Sequence, residues 1–118
     1  MSLTFNTKTY TADSYSTNQV IYFGPAKTMT LKDTLSLTRT DPKPTADFSG
    51  ISRTSAKLVR TVNLTGAKTT SGDLIVEILV RVPVGAASAD VDAILNDTGA
   101  FLAAASFKTH VKVPQVSF

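Results

Sequence analysis

Three segments of the chain alternate apolar and polar residues with a period of two, and this alternation constrains the fold more than any other feature. In residues 30–39, TLKDTLSLTR, the leucines Leu31, Leu35 and Leu37 share one side, and between Leu31 and Leu37 only Asp33 interrupts their row. The other side carries a lysine and three hydroxyl residues: Lys32, Thr34, Ser36 and Thr38. Because successive side chains of a strand point to opposite faces, this pattern predicts a strand with one apolar and one polar face.

Two later segments, residues 55–65 and 74–84, repeat the alternation. The first carries Leu58, Val62 and Leu64 with Arg60 on one side, and Lys57, Val59, Thr61 and Asn63 on the other. The second carries an apolar row of Leu74, Val76, Ile78, Val80 and Val82, and an opposite row of Ile75, Glu77, Leu79 and Arg81. Short connections between such strands favour antiparallel neighbours.

The segments before and between these strands predict an N-terminal hairpin and the loops that connect the long strands. In residues 1–25, LTFNTKTY and QVIYF are strand-like, and a hairpin turn is expected within ADSYSTN. The first long strand is expected to run from Met29 to Thr40, where the DPKP sequence at 41–44 ends it. The polar GAKTTSGD loop follows the next strand; it lacks the phosphate-binding GxxxxGK[ST] order.

Helical periodicity begins at Ser88. Apolar residues and one threonine recur at helical spacing: Val91, Ile94, Leu95, Thr98, Phe101 and Leu102. Ser88 is the expected N-cap, and Asp90 and Asp92 are expected in the first turn, where acids favour the helix dipole. Gly99 weakens the middle of the helix or marks a kink or a close contact. Beyond Ser106, Pro114 predicts a short helical turn or an extended tail.

Strands followed by helix predict an α+β fold, an antiparallel meander sheet with the C-terminal helix packed on one face. The expected layout is one domain over residues 1–118, with an N-terminal hairpin at 1–25, the main sheet at 29–84, and the helix and tail at 88–118. Neighbouring strands lie about 4.8 Å apart, so a sheet of several strands is wider than a single helix. One helix therefore covers only part of the sheet. We therefore expect a dimer in which the partner's helix completes the cover.

Composition excludes several classes of function. The chain has no cysteine and one histidine, so disulfides, thiol nucleophiles and cysteine-ligated metals are excluded, and no metal, cofactor or enzymatic activity is expected. We find no secretory signal, and the most apolar run, LIVEILVRVPV, is too short to span a bilayer, so a soluble cytoplasmic product without membrane association is expected. The net charge is +3, and no acid lies between Asp47 and Asp73 although Arg53, Lys57, Arg60 and Lys68 do, which suits an anionic partner.

The order of these elements resembles the coat proteins of single-stranded RNA bacteriophages, the levivirus-like capsid proteins. The resemblance covers about residues 28–105: the first long strand with DPKP, the next strand, the polar loop, and EILVRVPVGAASADVDAIL. The last piece is the most specific, because a strand closing on Val82-Pro83-Val84 leads through small residues into an acidic helix. The resemblance implies an α+β coat fold that interlocks as a homodimer through its helices.

The resemblance also implies a function. Coat dimers of this family assemble into an icosahedral shell, the joined sheet faces inward, and that face binds viral genomic single-stranded RNA. It implies that this chain binds and packages RNA, represses replicase translation through an RNA hairpin, and resides in a virion assembled in the bacterial cytoplasm. A maturation protein is a further implied partner. Glu77 and Leu79 are poor phosphate neighbours, which favours general RNA packaging over a specific hairpin.

The implied site residues follow from matching positions. The implied RNA-contacting residues are Lys32, Thr34, Ser36, Thr38, Lys57, Val59, Thr61, Asn63, Glu77 and Arg81. The implied inter-dimer loop residues are Gly66, Lys68, Thr69, Thr70 and Gly72. The helix residues implied in dimer packing are Val91, Ile94, Leu95, Phe101 and Leu102.

Other interpretations stay open. The polar strand faces alone fit a solvated surface, since antiparallel sheets often expose one side to water. A stand-alone β-sheet RNA-binding module that forms no shell is the main alternative, but such a module should carry stacking aromatic residues, and these faces carry none. Arg60 lies on the apolar side, where snorkelling at the sheet edge or pairing with an acid fits better than RNA contact.

Overall fold

A computed structural model of the chain describes residues 2–117, which form six strands and two helices. The strands are β1 (Ser2–Phe5), β2 (Lys8–Ser16), β3 (Gln19–Phe23), β4 (Asp33–Thr40), β5 (Ile51–Asn63) and β6 (Ser71–Pro83). They form one antiparallel sheet in the order β1-β2-β3-β4-β5-β6. The helices are α1 (Ser88–Ala103) and α2 (Ala105–Lys112). The chain divides into two compact units, one up to Val84 and one from Gly85 onward.

The N-terminal region contains two hairpins, whereas the sequence predicted one. Asn6 and Thr7 both have positive φ, 49° and 61°, and join β1 to β2 in a two-residue turn. Positive φ at both central residues is typical of the turns that match strand twist, and asparagine tolerates this conformation. The predicted turn segment ADSYSTN is mostly the end of β2, and the chain reverses only at Thr17 and Asn18.

The long strands differ in their bounds from the prediction. β4 begins at Asp33 rather than at Met29, because residues 24–32 turn back on themselves before the strand. Two bonds close this turn: the Gly24 amide donates to the Asp33 carbonyl, 2.7 Å, and the Leu31 amide donates to the Thr28 hydroxyl, 3.0 Å. β5 and β6 each contain 13 residues and begin several residues earlier than predicted.

The sheet has one apolar face and one polar face. In the apolar face, Tyr22 pairs with Leu35, which pairs with Leu58, which pairs with Val76. The buried residues of this face are Tyr10, Tyr22 and Leu35, packed against Leu3, Ala12, Val20, Ala56 and Leu58. The core therefore lies at the N-terminal strands and β4, whereas the same face of β6 is open, with Leu74 55% exposed.

The helical unit corrects three expectations. Ala87, not Ser88, is the N-cap of α1, and no side chain caps this end. Asp90 lies in the first turn as predicted, but Asp92 lies beyond it. Beyond Ser106, α2 is longer than the predicted short helical turn and ends before Pro114, which restricts the residue that precedes it. Within the part of the chain that is described, neither helix is long and apolar enough to cross a membrane.

The α+β class and the antiparallel meander are confirmed. The packing of helix on the apolar face and the interlocked dimer stay predictions.

Candidate nucleic-acid interface

The strand register brings the predicted RNA-contacting residues together on the polar face. Two rows illustrate this: Thr34 pairs with Val59, which pairs with Ile75, and Ser36 pairs with Lys57, which pairs with Glu77. Thr38, Thr61, Asn63 and Arg81 extend the same face along β4, β5 and β6. Directly opposed residues in antiparallel strands point to the same side of a sheet, so the face is a continuous surface across the three strands.

One end of the polar face is held by a hydrogen-bonded cluster of Lys32, Thr61 and Asp73, which we call the Asp73 brace. The Thr61 hydroxyl donates to Asp73 Oδ1 at 2.8 Å, and Lys32 Nζ lies 3.4 Å from Asp73 Oδ2. The Lys32 amide donates to the Thr61 hydroxyl at 3.0 Å, so Lys32 stays at this face although it precedes β4. The brace offsets the charge of Lys32 with a carboxylate.

The neighbours of Asp73 lower the pKa of its carboxyl group. The hydrogen bond from Thr61 is the main cause that holds the pKa of Asp73 below its usual value; burial opposes it, and the bond and charge of Lys32 add smaller lowering effects. Asp73 therefore stays ionised over a wider acid range than an isolated carboxyl. The sequence prediction omitted this residue because the last strand was expected to begin at Leu74.

The middle of the polar face is mixed in chemistry. Lys57 lies directly opposite Glu77 in the register. Ile75 and Leu79 flank Glu77 on the same strand and are 53% and 55% exposed, respectively. These exposed apolar side chains, together with the partly buried Val59, offer contact area to a nucleobase or to another protein surface.

The far end of the polar face carries two arginines. Arg53 of β5 lies directly opposite Arg81 of β6, and Thr40 of β4 lies on the other side of Arg53. Both arginines are exposed. Arg81 was among the predicted site residues, but Arg53 was not, because the strand containing it was expected to begin at Ser55. A longer continuation of the same alternation towards Ile51 is the signal that identifies it.

Arg60 belongs to the apolar face, as the alternation predicted, and pairs with an acid. Its Nε lies 3.4 Å from Asp33 Oδ1, and its Nη2 donates to the Tyr10 hydroxyl at 2.8 Å. Tyr10 donates to the same Asp33 oxygen at 3.0 Å, and the Ala26 amide donates to Asp33 Oδ2 at 3.2 Å. Arg60 therefore satisfies a buried carboxylate and is not available to the polar face.

The predicted inter-dimer residues divide between a loop and a strand. Gly66, Lys68, Thr69 and Thr70 lie in the loop between β5 and β6, and Gly66 has a φ of +77°. The Leu64 amide donates to the Thr70 carbonyl at 2.9 Å and closes the loop. Gly72 lies within β6, opposite Val62, and not in the loop as predicted. Whether any of these residues contacts another dimer stays a prediction.

The predicted dimer-packing residues of α1 are accessible. Ile94 is 66% exposed, Phe101 is 55% exposed and Leu95 is 45% exposed. Val91 and Leu102 are partly buried. Among residues 2–117, no three acidic or histidine side chains gather into a group that could hold a metal ion.

Several solved structures are similar to this fold. A chain from the virus-like particle of Beihai levi-like virus 32 superposes with a TM-score of 0.82 at 18% sequence identity, covering 96% of this chain and 91% of that one. A chain from the virus-like particle of bacteriophage GQ-907 gives a TM-score of 0.77 at 13% identity, covering 98% and 88%. For the virus-like particle of bacteriophage AVE019 the TM-score is 0.75 at 11% identity, covering 100% and 96%.

The chain therefore has the fold seen in levi-like virus-like particles. The match spans nearly the full length of both chains, so the levi-like fold includes the N-terminal hairpins, the long strands and both helices. No protein-family model matches the chain, and no curated protein matches it in sequence. The fold predicted from the resemblance to RNA phage coat proteins is confirmed.

Proposed function

We propose that the chain is a coat subunit that forms homodimers, assembles into an icosahedral shell and packages single-stranded RNA. The observation that carries this proposal is the near full-length likeness to chains that form virus-like particles. The role is structural rather than enzymatic. The subunit belongs in the virion and is assembled in the cytoplasm of a bacterial host.

Exposed apolar surface supports dimerisation. On β6, Leu74, Val76 and Ile78 are 55%, 44% and 36% exposed in the single chain. β6 is also the last strand of the sheet, so its outer edge offers unpaired backbone groups. A second copy that joins its own β6 to this edge and lays its α1 over the apolar row covers both features, and the exposed Ile94 and Leu95 of α1 are suited to that contact.

The polar face supports RNA binding. Its lysines and arginines can neutralise phosphates, and its hydroxyl groups can donate to and accept from unpaired bases. Repression of replicase translation requires recognition of one hairpin, for which Thr34, Ser36 and Thr38 on β4 supply the hydroxyls. A maturation protein is the further partner proposed for the shell.

Expression of the full chain in a bacterium tests the proposal. We expect closed particles in electron micrographs, elution at particle size, and RNA that is protected from added nuclease until the particles are opened. A small monomer that binds RNA would instead support a stand-alone RNA-binding module. Empty closed shells would retain the structural role and contradict RNA packaging.

A further inference from the structure

Arg53 and Arg81 form an unusual cross-strand pair. They lie directly opposite each other on the polar face, where paired Cβ atoms are about 4.5–5.5 Å apart. Like charges in this position destabilise a sheet. Within residues 2–117, neither guanidinium lies within ion-pairing distance of a carboxylate. The fold thus holds two positive charges together without an internal anion.

The other cations of the polar face differ from this pair. Lys32 is bound to Asp73 in the Asp73 brace, and Lys57 faces Glu77 across the strands. Uncompensated positive charge on the face is therefore concentrated at the Arg53–Arg81 end. A cleft of about 230 Å³ adjoins Arg53 and is also lined by Lys43 and Asp41, so a further cation and one acid lie nearby.

We infer that Arg53 and Arg81 bind one backbone phosphate of the packaged RNA between them, and that this pair supplies most of the salt-dependent affinity of the polar face. The inference rests on the proposed function and adds Arg53 to its site. Two planar guanidinium groups can each donate paired hydrogen bonds to phosphate oxygens, which removes the repulsion between them. The hydroxyl row on β4 then remains for contact with bases.

The test compares four forms of the full chain: wild type, Arg53→Gln with Arg81→Gln, Lys32→Gln with Lys57→Gln, and Lys108→Gln with Lys112→Gln. Each double variant removes two positive charges, and the last pair lies on α2, in the other compact unit of the chain. Subunits released from particles are titrated with a fluorescent 20-nucleotide polyuridine at several salt concentrations. A fifth form, Arg53→Lys with Arg81→Lys, keeps both positive charges but replaces the guanidinium groups, so it reports on guanidinium geometry at constant charge.

We expect the arginine double variant to reduce the slope of log affinity against log salt by about 0.7, the value for one neutralised phosphate on a single strand. The Lys32 and Lys57 variant should change the slope by less than half as much, and the α2 variant should leave it unchanged. A larger effect from the lysines than from the arginines would overturn the inference while leaving RNA packaging intact. If wild type fails to bind the oligonucleotide and its particles contain no RNA, the proposed function itself fails.

Discussion

Arg60 Nη2 donates a 2.8 Å hydrogen bond to the hydroxyl of Tyr10, 50 residues earlier in the chain. Tyr10 is fully buried, and its hydroxyl donates a hydrogen bond to Asp33 Oδ1; the Asp33 side chain is 1% exposed. Burial raises the pKa of Tyr10, and the hydrogen bond from Arg60 opposes this only in part. The three side chains thus join β2, β4 and β5 through one satisfied polar network.

Tyr10→Phe should destabilise the protein by about 1–3 kcal/mol, because it leaves a buried carboxylate without one of its donors. Arg60→Leu should cost at least as much, since it removes the positive charge that compensates Asp33. Chemical denaturation of released subunits measures both. Arg53→Gln is the matched control, because that arginine is exposed and, among residues 2–117, forms no ion pair with an acid. Equal stability of all three variants would show that the network contributes nothing.

The network of Tyr10, Asp33 and Arg60 also shows how much of the structure could be predicted from the sequence. The position of Arg60 on the apolar side followed from alternation, and pairing with an acid was one of the two roles expected for it there, beside snorkelling at the sheet edge. The identity of its partners could not be predicted, because Tyr10 and Asp33 come close to Arg60 only when β2 and β4 are paired in the sheet. Local pattern specifies which face a side chain occupies, whereas register between distant strands specifies what it meets.

Asp73 provides a pH-dependent prediction. Its pKa in the folded chain is lowered, first by the Thr61 hydroxyl, so it contributes stability that is present above its unfolded pKa of about 3.9 and is lost as pH falls through the lowered value. Thr61→Val removes the hydroxyl at nearly constant volume and should raise the pKa of Asp73 towards its ordinary value. Carbon-13 NMR titration of released subunits measures this.

Thr38→Val is the control for that titration, because Thr38 lies on the polar face but donates to no acid among the described residues. It should leave the Asp73 titration where it is. A pKa of Asp73 that does not move in Thr61→Val would mean that the hydroxyl is not what stabilises the carboxylate.

Gly24 and Gly99 should respond oppositely to alanine. A Cβ at Gly24 would lie 2.6 Å from Tyr10 Cε2 and would also press on Asp33 Oδ2, so Gly24→Ala should destabilise the chain by about 1–3 kcal/mol. Gly99 lies within α1, and a Cβ there meets nothing within 4 Å. Gly99→Ala should stabilise α1 by about 0.5–1 kcal/mol. Thermal unfolding of both variants checks the signs, and a neutral Gly24→Ala would contradict the tight packing at the start of β4.

Gly99 and the second helix show where the sequence alone did not predict the structure. Gly99 could signal a kink or a close contact, but α1 runs unbroken across it. The length of the second helix was underestimated, because Pro114 predicted only a short helical turn or an extended tail. The proline constrains only its immediate neighbours, so Ala105–Lys112 were free to form α2.

Ile94→Asp should prevent dimer formation if α1 packs on a second copy. The residue is 66% exposed in the single chain, so a charge there costs little in the monomer but is unfavourable in an apolar interface. Light scattering after size exclusion should show a shift from particles and dimers towards monomers. Asn96→Asp is the control: it introduces the same charge on an exposed residue of α1 and should assemble normally. If Ile94→Asp also assembles normally, Ile94 does not lie in the interface.

The Arg53–Arg81 pair makes a prediction about stability that is opposite in sign to its effect on binding. Because like charges face each other across β5 and β6, replacing both with glutamine should stabilise the RNA-free subunit by about 0.2–1 kcal/mol. Denaturation of released subunits at low salt measures this gain, which should shrink at high salt because the repulsion is screened. Lys57→Gln is the control: Lys57 faces Glu77, so its loss removes an attraction and should not stabilise the sheet. A loss of stability in the arginine variant would mean that the pair supports the fold itself, and its presence would then need no RNA to explain it.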